Sequence, residues 1–405
     1  MSPIYTGVLG ILILLFLFAI RVPVAFAMGI MGFLGFTYLG SVSSALEMVA
    51  VEFFDVFSSY TLTVLPMFVL MGAIAFRMGM SNRIFDSTYV ILGNRKGGLA
   101  IASILGCAAF AGICGSTNAT AAAMGSVALP HMRRYNYDLS LATGSVAAAG
   151  TLGILIPPSA LLIIYGIISE QSIRKLFLGG VIPGIVLAIS FSIVVSFLCS
   201  RNPKIGPPGP PTSMKEKLMA LSPFIEVLVL FALVLGGLLT GWFSATQAGA
   251  AGALAVSIIG LIRRELTIRA LIEAAKDTLL ITCMVMFVLF GAILFSRFMA
   301  VTKIPFLLSS WIGSLKMPRE VVIFLIILVH LIGGCFMDGL AMIMLTVPIL
   351  LPAVISLGYD PIWFGIVVTL IVEMAAITPP VGINVYVIKS IAADVPNDLE
   401  VHRSS

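Results

Sequence analysis

The sequence predicts an all-α polytopic membrane protein built from two inverted repeats, each carrying a helical hairpin and a broken helix. Three observations carry this. First, 60% of the 405 residues are hydrophobic and 10% charged, with a mean hydropathy of +1.14. Soluble domains run near 45–50% apolar and about 25% charged. A core cannot absorb that excess, so much of it must face lipid, which excludes a soluble enzyme, a disordered chain and a disulfide-rich secreted one. Second, apolar runs such as IYTGVLGILILLFLFAI are long and unbroken, whereas barrel strands alternate over about ten residues. Third, stretches of the chain recur in register.

Apolar runs predict helices over 3–20, 22–40, 61–76, 97–115, 118–132, 139–168, 176–200, 222–240, 242–262, 278–296, 320–337, 339–356 and 361–388. The first has no basic leader or small-residue cleavage site, so it reads as a spanning helix and not a signal peptide. Basic residues orient the spans. Arg201, Lys204, Lys215 and Lys217 mark one cytoplasmic connection, and Arg263, Arg264, Arg269 and Lys276 another. Segments 77–96 and 133–138 then also lie inside, and 41–60, with Glu47, Glu52 and Asp55, lies outside. The run 268–280 reads as an amphipathic helix on the cytoplasmic face. The net charge of +5 is topology signalling, not a nucleic-acid surface. Cys107, Cys114, Cys199, Cys283 and Cys335 all sit in apolar segments without a CxxC or Cys/His pattern, so they read as small hydrophobes.

The repeat organises the rest. MFVLMGAI at 67–74 returns as MFVLFGAI at 286–293. At an offset of 222, Leu129-Pro130 matches Leu351-Pro352, Tyr137-Asp138 matches Tyr359-Asp360, and Pro157-Pro158 matches Pro379-Pro380. An odd number of crossings separates the copies, so they are inverted. Many secondary transporters place substrate and ion sites at the midplane of such repeats. The predicted division is 1–60 N-terminal scaffold, 61–175 first repeat with a cytoplasm-opening hairpin, 176–277 scaffold and cytoplasmic connections, 278–392 second repeat with a periplasm-opening hairpin, and 393–405 polar tail.

Four places combine polar residues with broken helix. In GICGSTNATAAAMG, Gly115 permits a tight reversal, and Ser116, Thr117 and Asn118 offer oxygens beside freed carbonyls. Such oxygens suit a hard monovalent cation, and the N-terminus of the returning arm suits an anion. In TLGILIPPS, the proline pair removes two amide donors and frees the carbonyls before Pro157. Asp338 in FMDGLAMIMLTVP matches Ser116, and AAITPPVGIN repeats the proline pair after Thr378. A carboxylate inside a membrane segment is costly and functional by default. Asp338 could supply charge for a sodium ion or carry a proton, and Glu373, matching Thr151, is a second coupling carboxylate of this kind. His330 reads as a helix-packing residue, Glu226 as interfacial, and Arg297 as a side chain that snorkels to the outer surface.

GSTNATAAAMGSVALPHMRRYNYD, GTLGILIPPSALLIIYG and ITPPVGINVYV resemble the large membrane subunit of the tripartite ATP-independent periplasmic (TRAP) transporters. The resemblance extends over nearly the whole chain. It implies an elevator-type, sodium-driven importer of an organic acid in the bacterial inner membrane. It also implies a periplasmic substrate-binding protein and a small four-helix membrane subunit as partners, sodium ions as coupling ions, and no cofactor. Carried over, the sodium ligands are Gly115, Ser116, Thr117, Asn118, Gly153, Ile156 and Pro157 in the first repeat, and Asp338, Ala376, Thr378 and Pro379 in the second. Substrate contacts are expected from Asn118, Pro158, Ser159 and Pro380. The small subunit is expected on a separate polypeptide. The family usually has a further spanning helix after the second proline pair, where this chain instead passes through Lys389 into the polar ADVPNDLEVHRSS.

A binding-protein-independent sodium/dicarboxylate carrier or ion antiporter of similar plan is the same-class alternative. Enzymes are disfavoured by the lack of GxGD, HExxH and GxSxG motifs. A passive channel is disfavoured because hairpins closed at mid-depth make a poor pore.

Overall fold

A computed structural model describes residues 2–314, 317–379 and 382–394. Among these residues every regular element is helical. Ser2 caps Pro3–Ala19, and Val24–Leu39 follows. Val42–Ser58 meets Thr61–Arg77 at a 50° bend. Gly79, at φ 66°, opens Met80–Leu92. The first hairpin is Gly98–Cys114 and Thr117–Arg134. The broken segment is Leu139–Leu155 and Ala160–Ile168, bent by 41°, and Ile173–Arg201 ends this half. In the second half, Ser222–Phe231 passes through a wide turn at Ala232–Gly236 into Gly237–Thr240. Ala245–Ile262, Ile268–Thr302 and Ile304–Ser314 come next. The second hairpin is Arg319–Gly334 and Gly339–Ser356, followed by Pro361–Ala376 and Ile383–Asp394.

The 222-residue offset seen in the dipeptides governs the helices too. Thr117–Arg134 and Gly339–Ser356 are both 18 residues long and begin and end in register. Their caps, Ser116 and Asp338, correspond, as do Asp138 and Asp360 at the next helix. The reason is local: each cap oxygen accepts from amides of the first turn that have no helical partner.

The two copies run antiparallel. Glu52 pairs with Arg297 at 2.6 Å, the Phe53 and Phe290 rings lie 5.6 Å apart, and those of Phe57 and Phe287 5.4 Å. Farther along, Arg77 pairs with Asp277 at 2.6 Å and Glu273 at 2.7 Å. Numbers rise in one copy as they fall in the other. Equivalent helices passing in opposite directions are what inversion across a membrane requires.

Packing at this seam relies on small residues, as between membrane helices generally. A Cβ on Gly32 would stand 2.6 Å from the Phe295 backbone nitrogen, so only glycine lets Val24–Leu39 approach Ile268–Thr302 this closely. The outer surface is apolar. The most hydrophobic window of Ile173–Arg201 is only 17% buried, and Ile182 is 71% exposed. In water such a face would be unstable, but against lipid tails it loses nothing.

Several expectations change. Segment 41–60, which is not among the predicted helices, is mostly helix: Ser41 caps it, no glycine or proline interrupts 42–58, and its Glu52 is paired with Arg297. Residues 268–280 form no separate surface helix. No glycine or proline interrupts 268–290, and they are the first turns of a 35-residue helix. The apolar run 361–388 breaks at the proline pair, as its sequence predicts, into Pro361–Ala376 and Ile383–Asp394. Arg297 does not simply snorkel, being held by Glu52. His330 is a packing residue as read: its Nδ1 meets the Ile326 carbonyl at 2.8 Å and its Nε2 the Thr346 hydroxyl at 2.9 Å. Glu226 joins Arg263, Arg83 and, through Arg83, Glu265 in one network.

The Pro/Gly-rich connection between the halves is tied down. Gly97 donates to the Gly206 carbonyl and Gly209 to that of Gly93, both at 2.8 Å, and Asp138 donates to Ile205 at 3.0 Å. The connection therefore lies across the open base of the first hairpin.

Candidate functional site

The first hairpin reverses at Gly115, φ 64°, a conformation that glycine adopts without strain. Its tip is stitched to the break in the following segment. The Ala160 amide donates to the Gly115 carbonyl at 3.3 Å. A Cβ on Gly115 would stand 2.6 Å from the Pro158 carbonyl oxygen, and one on Gly153 2.6 Å from that of Ser116. Two glycines thus let backbone carbonyls of tip and break crowd together. Leu152–Leu155 is a single helical turn that ends at Ile156 in extended geometry, and the Pro157–Pro158 peptide is cis.

In the second hairpin Asp338 caps the returning arm, accepting from the Leu340 amide at 3.1 Å. The repeats then meet: the Thr117 hydroxyl donates to Glu373 Oε2 at 2.8 Å, with both residues buried. Both tips and Pro158 border one cavity of about 360 Å3, walled on its other side by Val64–Arg77 and Ile268–Thr302. Its charged lining residues are Asp277, Asp338 and Glu373, and among the described residues no Lys, Arg or His lines it.

Of the residues singled out in the sequence, Gly115, Ser116, Thr117, Asn118, Pro158, Asp338, Glu373 and Ala376 line this cavity. Gly153 lies directly behind the first tip, and Ile156 is buried against the face of Gly184. Pro157 is buried beside Gly180. Ser159 does not face the cavity: it is fully buried, and its hydroxyl oxygen accepts from the Leu162 amide as a helix cap. Thr378 and Pro379 are exposed and away from the lining, with the Thr378 hydroxyl donated to the Met374 carbonyl. Pro380 lies outside the described residues.

Thr120 was not singled out. It is fully buried, set against the Cys114 thiol, and its hydroxyl stands 2.7 Å from where a Gly153 Cβ would be. Its spacing of four from Ser116, one helical turn, was the available signal. Thr282, on the scaffold wall of the cavity, has an unpartnered hydroxyl. Nothing in its apolar sequence context marks it.

Inverted repeats whose hairpin tips and helix break converge on one membrane cavity define a polytopic permease, not an enzyme. Over residues 11–403 the chain matches the family described as tripartite ATP-independent periplasmic transporter, DctM component. The chain belongs to that family, the large permease subunits of TRAP transporters. It is 35% identical over 347 residues to the C4-dicarboxylate TRAP transporter large permease protein DctM of Pseudomonas aeruginosa, covering 84% of this chain and 80% of that one. It is 31% identical over 355 residues to the sialic acid TRAP transporter large permease protein SiaM of Vibrio cholerae, covering 87% and 82%. In fold it is similar to the Alcanivorax borkumensis YdaH transporter, with a TM-score of 0.58 at 14% identity over 88% of this chain and 82% of that one.

Proposed function

We propose that this chain imports a small organic acid, such as a dicarboxylate or sugar acid, driven by sodium. It works as the transport subunit of a binding-protein-dependent system in the bacterial inner membrane. A periplasmic protein delivers the acid and a small four-helix membrane subunit completes the complex. The observation that carries this reading is the cavity where the hairpins meet: Asp277 in its lining is paired with Arg77, which leaves Asp338 and Glu373 facing no basic residue among the described lining. An organic anion cannot enter such a cavity alone. Like charges repel strongly where water is scarce, so co-bound cations must neutralise the site first. The carbonyl and hydroxyl oxygens of Gly115, Ser116 and Thr120, with Gly153 admitting them, suit one sodium ion. Asp338 and Ala376 suit a second, with Thr378 and Pro379 reaching it only after a shift of the second break. Glu373, held by Thr117, is the coupling carboxylate that senses both repeats.

Each sodium ion entering with the membrane potential contributes about 2.3 kcal/mol per 100 mV. Two ions therefore more than offset the entry of one monovalent acid. The relatives' names include C4-dicarboxylate, sialic acid and ectoine, which keeps the substrate class broad. The test is uptake of radiolabelled organic acids into proteoliposomes, with and without a sodium gradient and with and without the purified binding protein. Uptake indifferent to the sodium gradient rejects the coupling. Uptake without any binding protein moves the reading to a self-sufficient carrier.

A further inference from the structure

The helix that opens the second half carries one residue more than its counterpart. Ser2-Pro3 and Ser222-Pro223 start the two copies, an offset of 220. The helices that come next follow Pro23 and Ser244, an offset of 221. The extra residue is absorbed at Ala232–Gly236, where the helix widens to π geometry. Pro3–Ala19 is regular α-helix throughout. Such wide turns are rare and concentrate at functional sites.

This turn divides the helix between two neighbours. Pro3–Ala19 keeps to one side, against Val24–Leu39 and Ile268–Thr302. Its counterpart does not. Before the turn, Ser222–Phe231 packs on the first hairpin and on Met80–Leu92. Phe231 Cδ2 stands 3.3 Å from the place of a Gly112 Cβ, three residues before the tip at Gly115, and Glu226 pairs with Arg83 at 3.4 Å. The connection leading into this stretch is bonded to the same body, through Gly206, Gly209 and the Thr212 hydroxyl, which donates to the Val90 carbonyl at 2.8 Å. From the turn onward the partner is Ala245–Ile262: Val234 Cγ2 stands 2.9 Å from the place of a Gly252 Cβ. The Phe243 amide donates to the Gly237 carbonyl at 3.1 Å. One ion pair crosses the division, from Glu226 to Arg263. Arg263 is one-third exposed, so water can replace that pair at small cost.

Two glycines close the turn, for different reasons. A Cβ on Gly237 would run into the Phe243 ring, whereas one on Gly236 would meet nothing within 4 Å. Gly236 has ordinary helical angles, φ −59° and ψ −45°. Glycine there weakens the helix without any steric need, and what it supplies is backbone freedom. We infer that Ala232–Gly236 is a hinge, with Ser222–Phe231 travelling with the first hairpin while Gly237–Thr240 stays with the scaffold. The inference rests on the transport reading and goes beyond it, since the flexing element lies outside both hairpins and both proline breaks.

The test uses the full chain co-reconstituted with its small subunit and purified binding protein. Radiolabelled succinate, sialic acid and ectoine are offered, and the acid that the wild type takes up is the probe. Gly236→Ala is expected to raise the unfolding temperature yet slow initial uptake about twofold to fivefold, the rate equivalent of the helical preference of alanine over glycine. Gly144→Ala, equally free of neighbours, is expected to stabilise without slowing. Gly236→Ala with wild-type uptake overturns the hinge. A second arm bridges Gly112→Cys to Phe231→Cys by a disulfide, in a chain whose five native cysteines are replaced by alanine. Uptake is expected to match that of the reduced form. Uptake lost on bridging and restored by reductant means that the hairpin slides past this helix, which overturns the inference even where Gly236→Ala does not fold. A wild type that takes up none of the three acids instead removes the transport reading itself.

Discussion

Replacing Gly153 by alanine puts a methyl group where the first hairpin tip and the helix break touch. The new Cβ would lie 2.6 Å from the Ser116 carbonyl oxygen and 2.7 Å from Thr120 Oγ1, against the 3.4 Å at which ordinary contact begins. One side must therefore retreat by about 0.8 Å. Alanine favours the helical turn by about 1 kcal/mol over glycine, while overpacking costs about 1–3 kcal/mol, so the folded chain is expected to survive with a small net loss. The site does not fare as well. Displacing a positioned group by about 1 Å can cost on the order of a hundredfold, so half-saturating sodium in proteoliposome uptake should rise between tenfold and a hundredfold. Gly144→Ala is the matched control: it is exposed in the preceding helix and its Cβ would meet nothing within 4 Å. It should leave sodium dependence unchanged and raise stability by about 0.5–1 kcal/mol. Wild-type sodium dependence in Gly153→Ala would refute the placement of a cation at this contact.

Thr117→Val removes the one side-chain donor hydrogen-bonded to the buried Glu373 among the described residues. It should lower stability by about 1–3 kcal/mol, and adding Glu373→Gln should recover part of the loss; thermal melts of both variants decide. Asp338→Asn keeps the cap oxygen but removes a cavity charge, so sodium dependence of uptake should weaken while folding persists. An unaltered sodium response excludes Asp338 from the ion site. Arg297→Ala should destabilise more than Arg77→Ala. It strands Glu52, whose side chain is 9% exposed, whereas the partners of Arg77 are 35% and 41% exposed and such pairs contribute about 1 kcal/mol or less. Equal shifts in the unfolding midpoint would contradict this.

Much of the architecture is legible in the residues because its signals are local. Gly115 and the proline pairs announce chain reversals and helix breaks wherever they occur, and Ser116, Asp138, Asp338 and Asp360 cap the helices they precede. The repeat is legible because duplicated segments kept both their spacing and their capping chemistry. Val42–Ser58 was hidden for the opposite reason. Its Glu52 is answered by Arg297, 245 positions away, and hydropathy has no term for a distant counter-charge. Ile304–Ser314 was hidden because Lys303 and Lys316 flank a short apolar run that reads as a loop.

Composition alone committed the chain to lipid, since an apolar excess of this size has no other place to go. The internal repeat committed it to two copies of one hairpin plan. Whether Thr117 would reach Glu373, whether Ser159 would turn inward as a cap, and whether Asn384 would be sealed beside the first hairpin were settled only when the helices packed. The first and last of these depend on interhelical distances of a few ångströms between residues more than two hundred positions apart, about which short-range preferences carry no information, and the burial of Ser159 depends on what packs over its cap.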